Sequence, residues 1–395
     1  QWDGTAWNHI GSDIDGEAAD DYSGGQISLS RDGSTVAIGS LFNDDNGSSA
    51  GHVRVFQLTD LTAPTIAVSS DVSSLKAGET ATLTFTLSES STDFTDGDVS
   101  VSGGSLSDFS GSGSSYSANF TPTSNSTTDG VISVASAAFS DSSGNNNLDG
   151  SDANNSVTLS VDTAAPTTTV SIDSISTDSG NSSTDFITTD SDGLTINATL
   201  SSALVSGEIL QYSNDNGSSW STVSNADISS TSVSFADDAL TSSNTIQFRV
   251  TDAAGNSGST ASQAIVIDTS APTIALASDA SSLKAGETAS LTFTLSEASV
   301  DFIASDVSLS GGTLSNFTGS GSSYSATFTP TTNSTRDGVI SVASATFADL
   351  AGNSNQDGSD PNNALNISID TVRPTIALSS DVSSLKRSET ATLTF

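Results

Sequence analysis

Cysteine and methionine are both absent from the 395 residues, and histidine occurs only twice. The chain can therefore form no disulfide, no thiolate metal site and no cysteine nucleophile. Positive charge is also scarce: Lys+Arg 9 stands against Asp+Glu 46, a formal net charge of −37, which excludes a nucleic-acid binder resting on a basic surface. No stretch reaches the roughly 18 apolar residues that a spanning helix needs, and no charged-then-apolar N-terminal segment reads as a signal peptide. With no initiator Met, and with the strand-like run Glu389–Phe395 cut short, the sequence is expected to be an internal piece of a longer protein. Any targeting signal would lie outside it.

Only 14% of the residues are charged and 34% hydrophobic. Ser, Thr, Gly, Asn and Asp make up most of the remainder, a composition that suits short strands and turns better than long helices. Apolar residues alternate along the chain, which separates it from a disordered acidic tail.

Self-comparison gives the strongest signal. Ala63-Pro-Thr-Ile-Ala returns at Ala271-Pro-Thr-Ile-Ala, and the match runs without a gap for a whole domain at an offset of 208 residues, Pro64 to Pro272. Ser73-Ser-Leu-Lys-Ala-Gly-Glu-Thr-Ala81 pairs with the segment from Ser281 to Ala289, and a third copy opens at Pro374. A different unit lies between the two full copies but keeps the same border, Asp-x-x-x-Pro, at Asp60, Asp162, Asp268 and Asp370. The border prolines Pro64, Pro166, Pro272 and Pro374 are spaced 102, 106 and 102 residues apart, as in beads on a string.

Within a unit the apolar period is two: in Thr82-Leu-Thr-Phe-Thr-Leu-Ser88, Leu83, Phe85 and Leu87 face one way and the threonines the other. About seven such runs in roughly 100 residues give an all-β fold, with each unit an Ig-like β-sandwich. The Ala-Pro-Thr openings, Leu-Lys-Ala-Gly-Glu-Thr, Leu-Ser-Glu89 and Asp-Ala-Ala-Gly-Asn256 together resemble the tandem bacterial Ig-like domains of giant secreted and surface adhesins. The resemblance covers residues 60–164, a divergent unit at 165–270, the repeat of the first at 271–372, and a truncated start at 373–395. Residues 1–59 differ. Trp7 to Glu17, Ser28 to Gly39 and Gly51-His-Val-Arg-Val-Phe56 resemble one blade of an integrin-type (FG-GAP) β-propeller, with Gln1-Trp2 as the end of a preceding blade. One blade closes no ring, so the propeller itself would lie upstream.

The acids decide the functional question. Asp141-Ser-Ser-Gly-Asn145, Asp252-Ala-Ala-Gly-Asn256 and Asp349-Leu-Ala-Gly-Asn353 each follow the penultimate strand, which places them at the pole where the chain comes into the domain. The border Asp arrives at the same pole. This joins Asp60 with Asp141 and Asn145, Asp162 with Asp252 and Asn256, and Asp268 with Asp349 and Asn353. Glu89 and Glu297 belong at that pole too, while Glu79 and Glu287 should face the next domain. Carboxylates with an amide carbonyl, and no His or Cys, form a hard-oxygen set that selects calcium, and the resemblance implies calcium at such junctions. The competing expectation is that Asp and Asn only make turns and that Gly144 supplies a positive φ.

Other motifs carry less. Asn145-x-Asn147-x-Asp149-Gly150 and Asn353-x-Asn355-x-Asp357-Gly358 imitate the start of an EF-hand loop, but Ser156 and Ala364 stand where its closing Glu belongs. Ser213-x-Asp215-x-Gly217-x-x-Trp220 matches the Asp-box pattern of sialidase propellers and is expected to be a structural hairpin turn. Asp13-x-Asp15-Gly16-Glu17 and Asn43-Asp-Asp-Asn-Gly47 are candidate calcium loops of the N-terminal segment. His9 and His52 lie apart from any catalytic partner, and no nucleophile elbow or phosphate loop is present.

The expectation is a non-enzymatic, calcium-stiffened stalk segment of an extracellular or cell-surface bacterial adhesin: a monomeric rod whose glycan or protein ligand is engaged by regions outside this piece. Two rivals remain at this stage. The units could be spacers of a secreted glycan-active enzyme, which a His- or Glu-bearing catalytic fold beyond either end would indicate. They could also bind carbohydrate or protein themselves, for which exposed aromatics on one face would be the sign, yet Trp is only 3 and Tyr 4.

Overall fold

The computed structural model describes residues 13–31, 33–57, 60 and 62–395, and these divide between two compact units on either side of the Ala165–Pro166 bond. The first unit opens with an antiparallel sheet of β1 (Ser23–Leu29), β2 (Thr35–Ser40) and β3 (His52–Gln57) in that order. Three strands close no propeller, and there is no second blade among the described residues. Trp2, Trp7, His9 and Asp32 of the blade resemblance lie outside them.

The first sandwich follows with β4 (Ile66–Ser70), β5 (Ser74–Lys76), β6 (Ala81–Ser91), β7 (Val99–Ser102), β8 (Gly104–Pro122), β9 (Gly130–Val134) and β10 (Ser156–Asp162). One sheet has the order β4-β6-β8 and the other β5-β10-β9-β7. The opening strand is split between the sheets, so β5 lies parallel to the closing strand β10. The chain therefore comes in at one pole, at the start of β4, and leaves at the other, at the end of β10. Leu83, Phe85 and Leu87 on β6 are buried while Thr82, Thr84 and Thr86 are exposed, as the period of two requires.

The run β8 hides a reversal. Asn119 Nδ2 donates to Asp108 Oδ2 at 2.9 Å, although eleven residues of extended strand would span about 36 Å. The run folds back on itself around Gly111 (φ 142°) and Gly113 (φ 67°). A Cβ on Gly111 would overlap the backbone of Ser115 and Tyr116, so the reversal needs glycine there.

In the second unit the middle sandwich has β11 (Val170–Ile175), β12 (Ile187–Thr188), β13 (Leu194–Leu200), β14 (Ile209–Ser213), β15 (Ser221–Thr222), β16 (Ile228–Ser229), β17 (Ser232–Asp237), β18 (Asn244–Thr251) and β19 (Ala261–Ile267). Its sheets are β11-β13-β17-β16 and β12-β19-β18-β14-β15. Ile196, Ile246, Phe248 and Val250 fill its core. The third sandwich repeats the first through β20 (Ile274–Ser278), β21 (Ser282–Lys284), β22 (Ala289–Ser299), β23 (Val307–Ser310), β24 (Gly312–Pro330), β25 (Gly338–Val342) and β26 (Ala364–Asp370). Phe293 takes the place of Phe85, equally buried. Among the described residues no helix is long and apolar enough to cross a membrane.

Candidate metal centres at the N-terminal poles

Each border Asp first makes a turn. Asp60 Oδ1 accepts from the Thr62 amide at 2.9 Å, Asp268 Oδ1 from Ser270 at 2.9 Å and Asp162 Oδ1 from Ala164 at 3.2 Å. Asp370 Oδ1 accepts from Val372 at 3.1 Å in the same way, so the turn-making expected of Asp is present at all four borders, and at two of them a carboxylate cluster is built beside it. Asp60, Glu89 and Asp141 each present one oxygen, all within 4.8 Å of one another, and Asp268, Glu297 and Asp349 do the same in the third domain. None of these six acids has an ion-pair partner among the described residues.

The loop itself fixes Asp141. Its Oδ1 accepts the amides of Ser143 at 2.8 Å and Asn145 at 2.9 Å, and its Oδ2 accepts Asn145 Nδ2 at 2.8 Å. The same Nδ2 donates to the Asp60 carbonyl at 2.9 Å. Asp349 is held alike by Gly352, Asn353 and the bond from Asn353 Nδ2, which also reaches the Asp268 carbonyl. Asn145 and Asn353, expected as oxygen ligands, therefore meet the acids through nitrogen and brace the border against the loop. The third carboxylate of each cluster comes from Glu89 and Glu297, which the sequence placed at this pole without making them ligands.

Electrostatics divides the three acids. Burial pushes the Glu89 carboxyl up from its ordinary value, and the neighbouring Asp60 and Asp141 add to the rise. Glu297 is raised in the same way, by burial and then by Asp268 and Asp349. Asp141 moves down instead, chiefly because the Asn145 side chain donates to its charged form. Like charges crowd together: one is held ionised by fixed donors, and its neighbour resists ionisation because of burial and the adjacent carboxylates.

A second acid, missed in the sequence, sets the distance between loop and strand. Asp93 accepts from the Ser140 amide at 2.9 Å and from its hydroxyl at 2.6 Å, and from Ser91 Oγ at 2.7 Å. Asp301 accepts from the Ala348 amide at 3.0 Å. The available signal was Ser-x-Asp at the end of the second long strand, present in both repeats and missing from the middle unit.

The EF-hand-like segment is a buried brace. Asn147 Oδ1 accepts the Ala138 and Phe139 amides, and its Nδ2 donates to the Ala135 carbonyl. Asp149 Oδ2 accepts the Ile66 amide at 2.6 Å, tying the last loop to the first strand, and Asp357 does the same for Ile274 at 2.7 Å.

The middle domain departs from this plan. Asn256 braces Asp252 through its amide at 2.8 Å and Nδ2 at 2.9 Å, so the loop is intact. The position of Glu89 is taken by Ser202, whose hydroxyl pairs with Thr168 at 2.9 Å. Asp162 belongs to the other compact unit, and neither of the two clusters of three acids found among the described residues includes Asp252.

The remaining candidates bond to neighbouring protein groups. Asp215 joins β14 to β15: its Oδ1 accepts from Ser213 Oγ and the Ser219 amide, and its Oδ2 from Ser219 Oγ. Hydrogen bonds from Ser219 lead in lowering its carboxyl to about 2. Trp220 closes that turn, with the Arg249 guanidinium 3.9 Å from its ring centroid. In the N-terminal sheet Glu17 meets His52 Nδ1 at 3.1 Å, Arg54 Nε at 3.7 Å and Asn43 Nδ2 at 3.1 Å, so protein donors already serve this acid. Glu79 and Glu287 cap their own turns through the Lys76 and Lys284 amides.

Residues 60–161 and 268–366 match the family described as bacterial Ig-like domain, while the N-terminal sheet and the middle sandwich lie outside the match. No curated protein matches the chain by sequence. Solved structures similar to it include the broadly conserved Escherichia coli adhesin FdeC, at 15% identity over 79% of this chain and 98% of that one, with a TM-score of 0.28. The full ectodomain of mouse nectin-like molecule 4 aligns at 11% identity over 76% and 98%, TM-score 0.29. The Yersinia pseudotuberculosis adhesin InvE aligns at 15% over 59% and 68%, TM-score 0.21.

Proposed function

The chain belongs to the bacterial Ig-like domain family, and from that premise we propose that it is a non-enzymatic stalk segment of a large bacterial surface-bound or secreted adhesin. Its sandwiches take the chain in at one pole and release it at the other, so each domain adds length. An eleven-residue strand such as β6 contributes about 36 Å of reach at about 3.3 Å per residue. The work of such a segment is mechanical, and the tip it carries would lie elsewhere in the parent protein.

The finer part of the proposal is that calcium stiffens the borders at Asp60, Glu89 and Asp141 and at Asp268, Glu297 and Asp349. The observation that carries it is the crowding of three carboxylate oxygens within 4.8 Å, twice, with Glu89 and Glu297 raised by their neighbours. An all-oxygen carboxylate set suits calcium, which takes six to eight oxygens, and it lacks the nitrogen or sulfur that zinc favours. A bound divalent ion would neutralise the crowding and fasten the border Asp to the domain that follows it.

The test is calorimetry of the full chain with and without calcium. Extracellular calcium modules bind with Kd about 10⁻⁴–10⁻³ M, and ligand at 10–100 times Kd adds roughly 1.4–2.7 kcal/mol per site. The expected result is an upward shift of the first- and third-domain transitions, reversed by chelator. Transitions indifferent to millimolar calcium would remove calcium from the reading and leave a plain spacer.

A further inference from the structure

Between its first strand β11 and the short β12, the middle domain carries a tongue, residues 176–186, where the first domain has only Asp71, Val72 and Ser73. The tongue is held by two bonds to its own domain and one within itself. The Ser179 amide donates to the Ile187 carbonyl at 3.2 Å, the Phe186 amide to Asp178 Oδ2 at 3.1 Å, and the Thr189 amide to Ser179 Oγ at 2.9 Å.

Its tip meets the third domain. Ser179 Oγ donates to the Ala351 carbonyl, in the loop that carries Asp349. A Cβ built on Gly180 (φ +86°) would overlap the Leu350 carbonyl oxygen, and one on Gly352 (φ +96°) would come within 3.0 Å of the Gly180 nitrogen and Cα. Backbone thus lies against backbone, and only glycine on both sides permits the approach. Ala351 is 1% exposed. Its counterpart in the first domain, Ser143, is exposed, and a Cβ on the following Gly144 would meet nothing within 4 Å.

We infer that the Ser179–Gly180 tip is a docking element for the Leu350-Ala351-Gly352 loop, and that it locks the middle and third domains into one body without a cation. The contact uses neutral groups, so chelation and salt do not act on it directly. The Ser179 hydroxyl is satisfied on both sides, accepting from Thr189 and donating to Ala351, so undocking would strip a partner from a half-buried polar group.

The absence of native cysteine makes the test direct. In the full chain, nitroxides are placed at Ser234→Cys on β17 and Thr292→Cys on β22, both exposed positions, and their separation is measured by pulsed electron resonance in excess chelator. A second pair within the middle domain, Ser234→Cys and Ser262→Cys, reports its fold. The expected result is a single narrow separation across the junction, broadened by Gly180→Val to that of two independently moving bodies while the internal pair stays narrow. A broad cross-junction distribution in the parent chain, or one that Gly180→Val leaves unchanged, overturns the lock. Should Gly180→Val also broaden the internal pair, Ser179→Ala decides, since it removes the hydrogen bond without adding bulk: unchanged width overturns the lock and broadening supports it. Working in chelator separates this outcome from the calcium proposal.

Discussion

The first and third domains gather three acids at the pole where the chain comes in, whereas the middle domain keeps the braced Asp252 loop but puts Ser202 where they carry Glu89 and Glu297. One side chain at the end of one strand separates a crowded carboxylate cluster from a neutral hydroxyl pair. The middle domain invests instead in a long tongue that grips its successor through backbone. The same fold thus offers two ways to make a joint. In the two proposals above, one joint answers to ions in the surroundings, and the other is written into glycine positions and needs none.

The largest way to test that comparison acts below the poles. Phe85→Ala, Phe248→Ala and Phe293→Ala each remove a fully buried ring from a separate core. Each should cost about 3–5 kcal/mol in its own domain. Calorimetry should show one transition falling in the first-domain variant while the others hold, and a shared loss in that variant would mean the domains do not fold separately. Phe248→Ala should disturb the third domain more than Phe85→Ala does, through the tongue.

A smaller effect breaks the comparison at its source. Glu89→Ser and Glu297→Ser give the outer domains the residue type of the middle one and should abolish the calcium response of roughly 1.4–2.7 kcal/mol per site. The middle-domain transition, measured in the same scans, should not move with calcium in the Glu297→Ser variant.

The smallest effect is the response to acid in chelator. Glu89 and Glu297 are raised above 4.5 in the folded chain. The stability they contribute is complete below 4.5 and is lost as pH rises through the raised value. Lowering the pH from neutral toward 4.5 should therefore raise the outer-domain transitions, by well under about 1 kcal/mol once solvent screening is allowed for. Asp215 works in the opposite sense: its lowered carboxyl contributes stability above 3.8 that is lost as pH falls toward about 2. Melting curves across pH should show the outer transitions rising first on acidification and the middle one falling later. Glu89→Gln and Glu297→Gln should remove the rise.

Much of this was legible in the residues. The border Asp, the Asp-x-x-Gly-Asn loops and the alternation of Leu83, Phe85 and Leu87 repeat at fixed spacing, and a repeat of that kind reports backbone geometry directly. The pole was read correctly for Glu89, but its approach to Asp60 and Asp141 depends on how far Asp93 draws the loop toward β6, a tertiary distance that no local pattern encodes. Asn145, expected as an oxygen ligand, turns its Nδ2 to the Asp141 carboxylate and the Asp60 backbone carbonyl, a bracing role the loop motif alone does not reveal. The reversal inside β8 was missed since Ser and Gly dominate the segment before Tyr116 and leave little apolar period to read. The tongue was invisible for the same reason: Ser-Thr-Asp-Ser-Gly is an unremarkable loop until the chain that meets it is known.

The placement of a divergent sandwich between two nearly identical ones has a consequence during synthesis. Strands β6 and β22 share their length, their register against the following strand and most of their sequence. Either could complete the other's sheet while the chain is still emerging, and such exchange is a characteristic misassembly of tandem repeats. Between them lies the β11–β19 sandwich, which presents a different strand order and a different core to both. The middle sandwich keeps these two interchangeable strands a full domain apart, whereas no such spacer separates the third domain from the copy that opens at Pro374, so strand exchange is expected at that border instead.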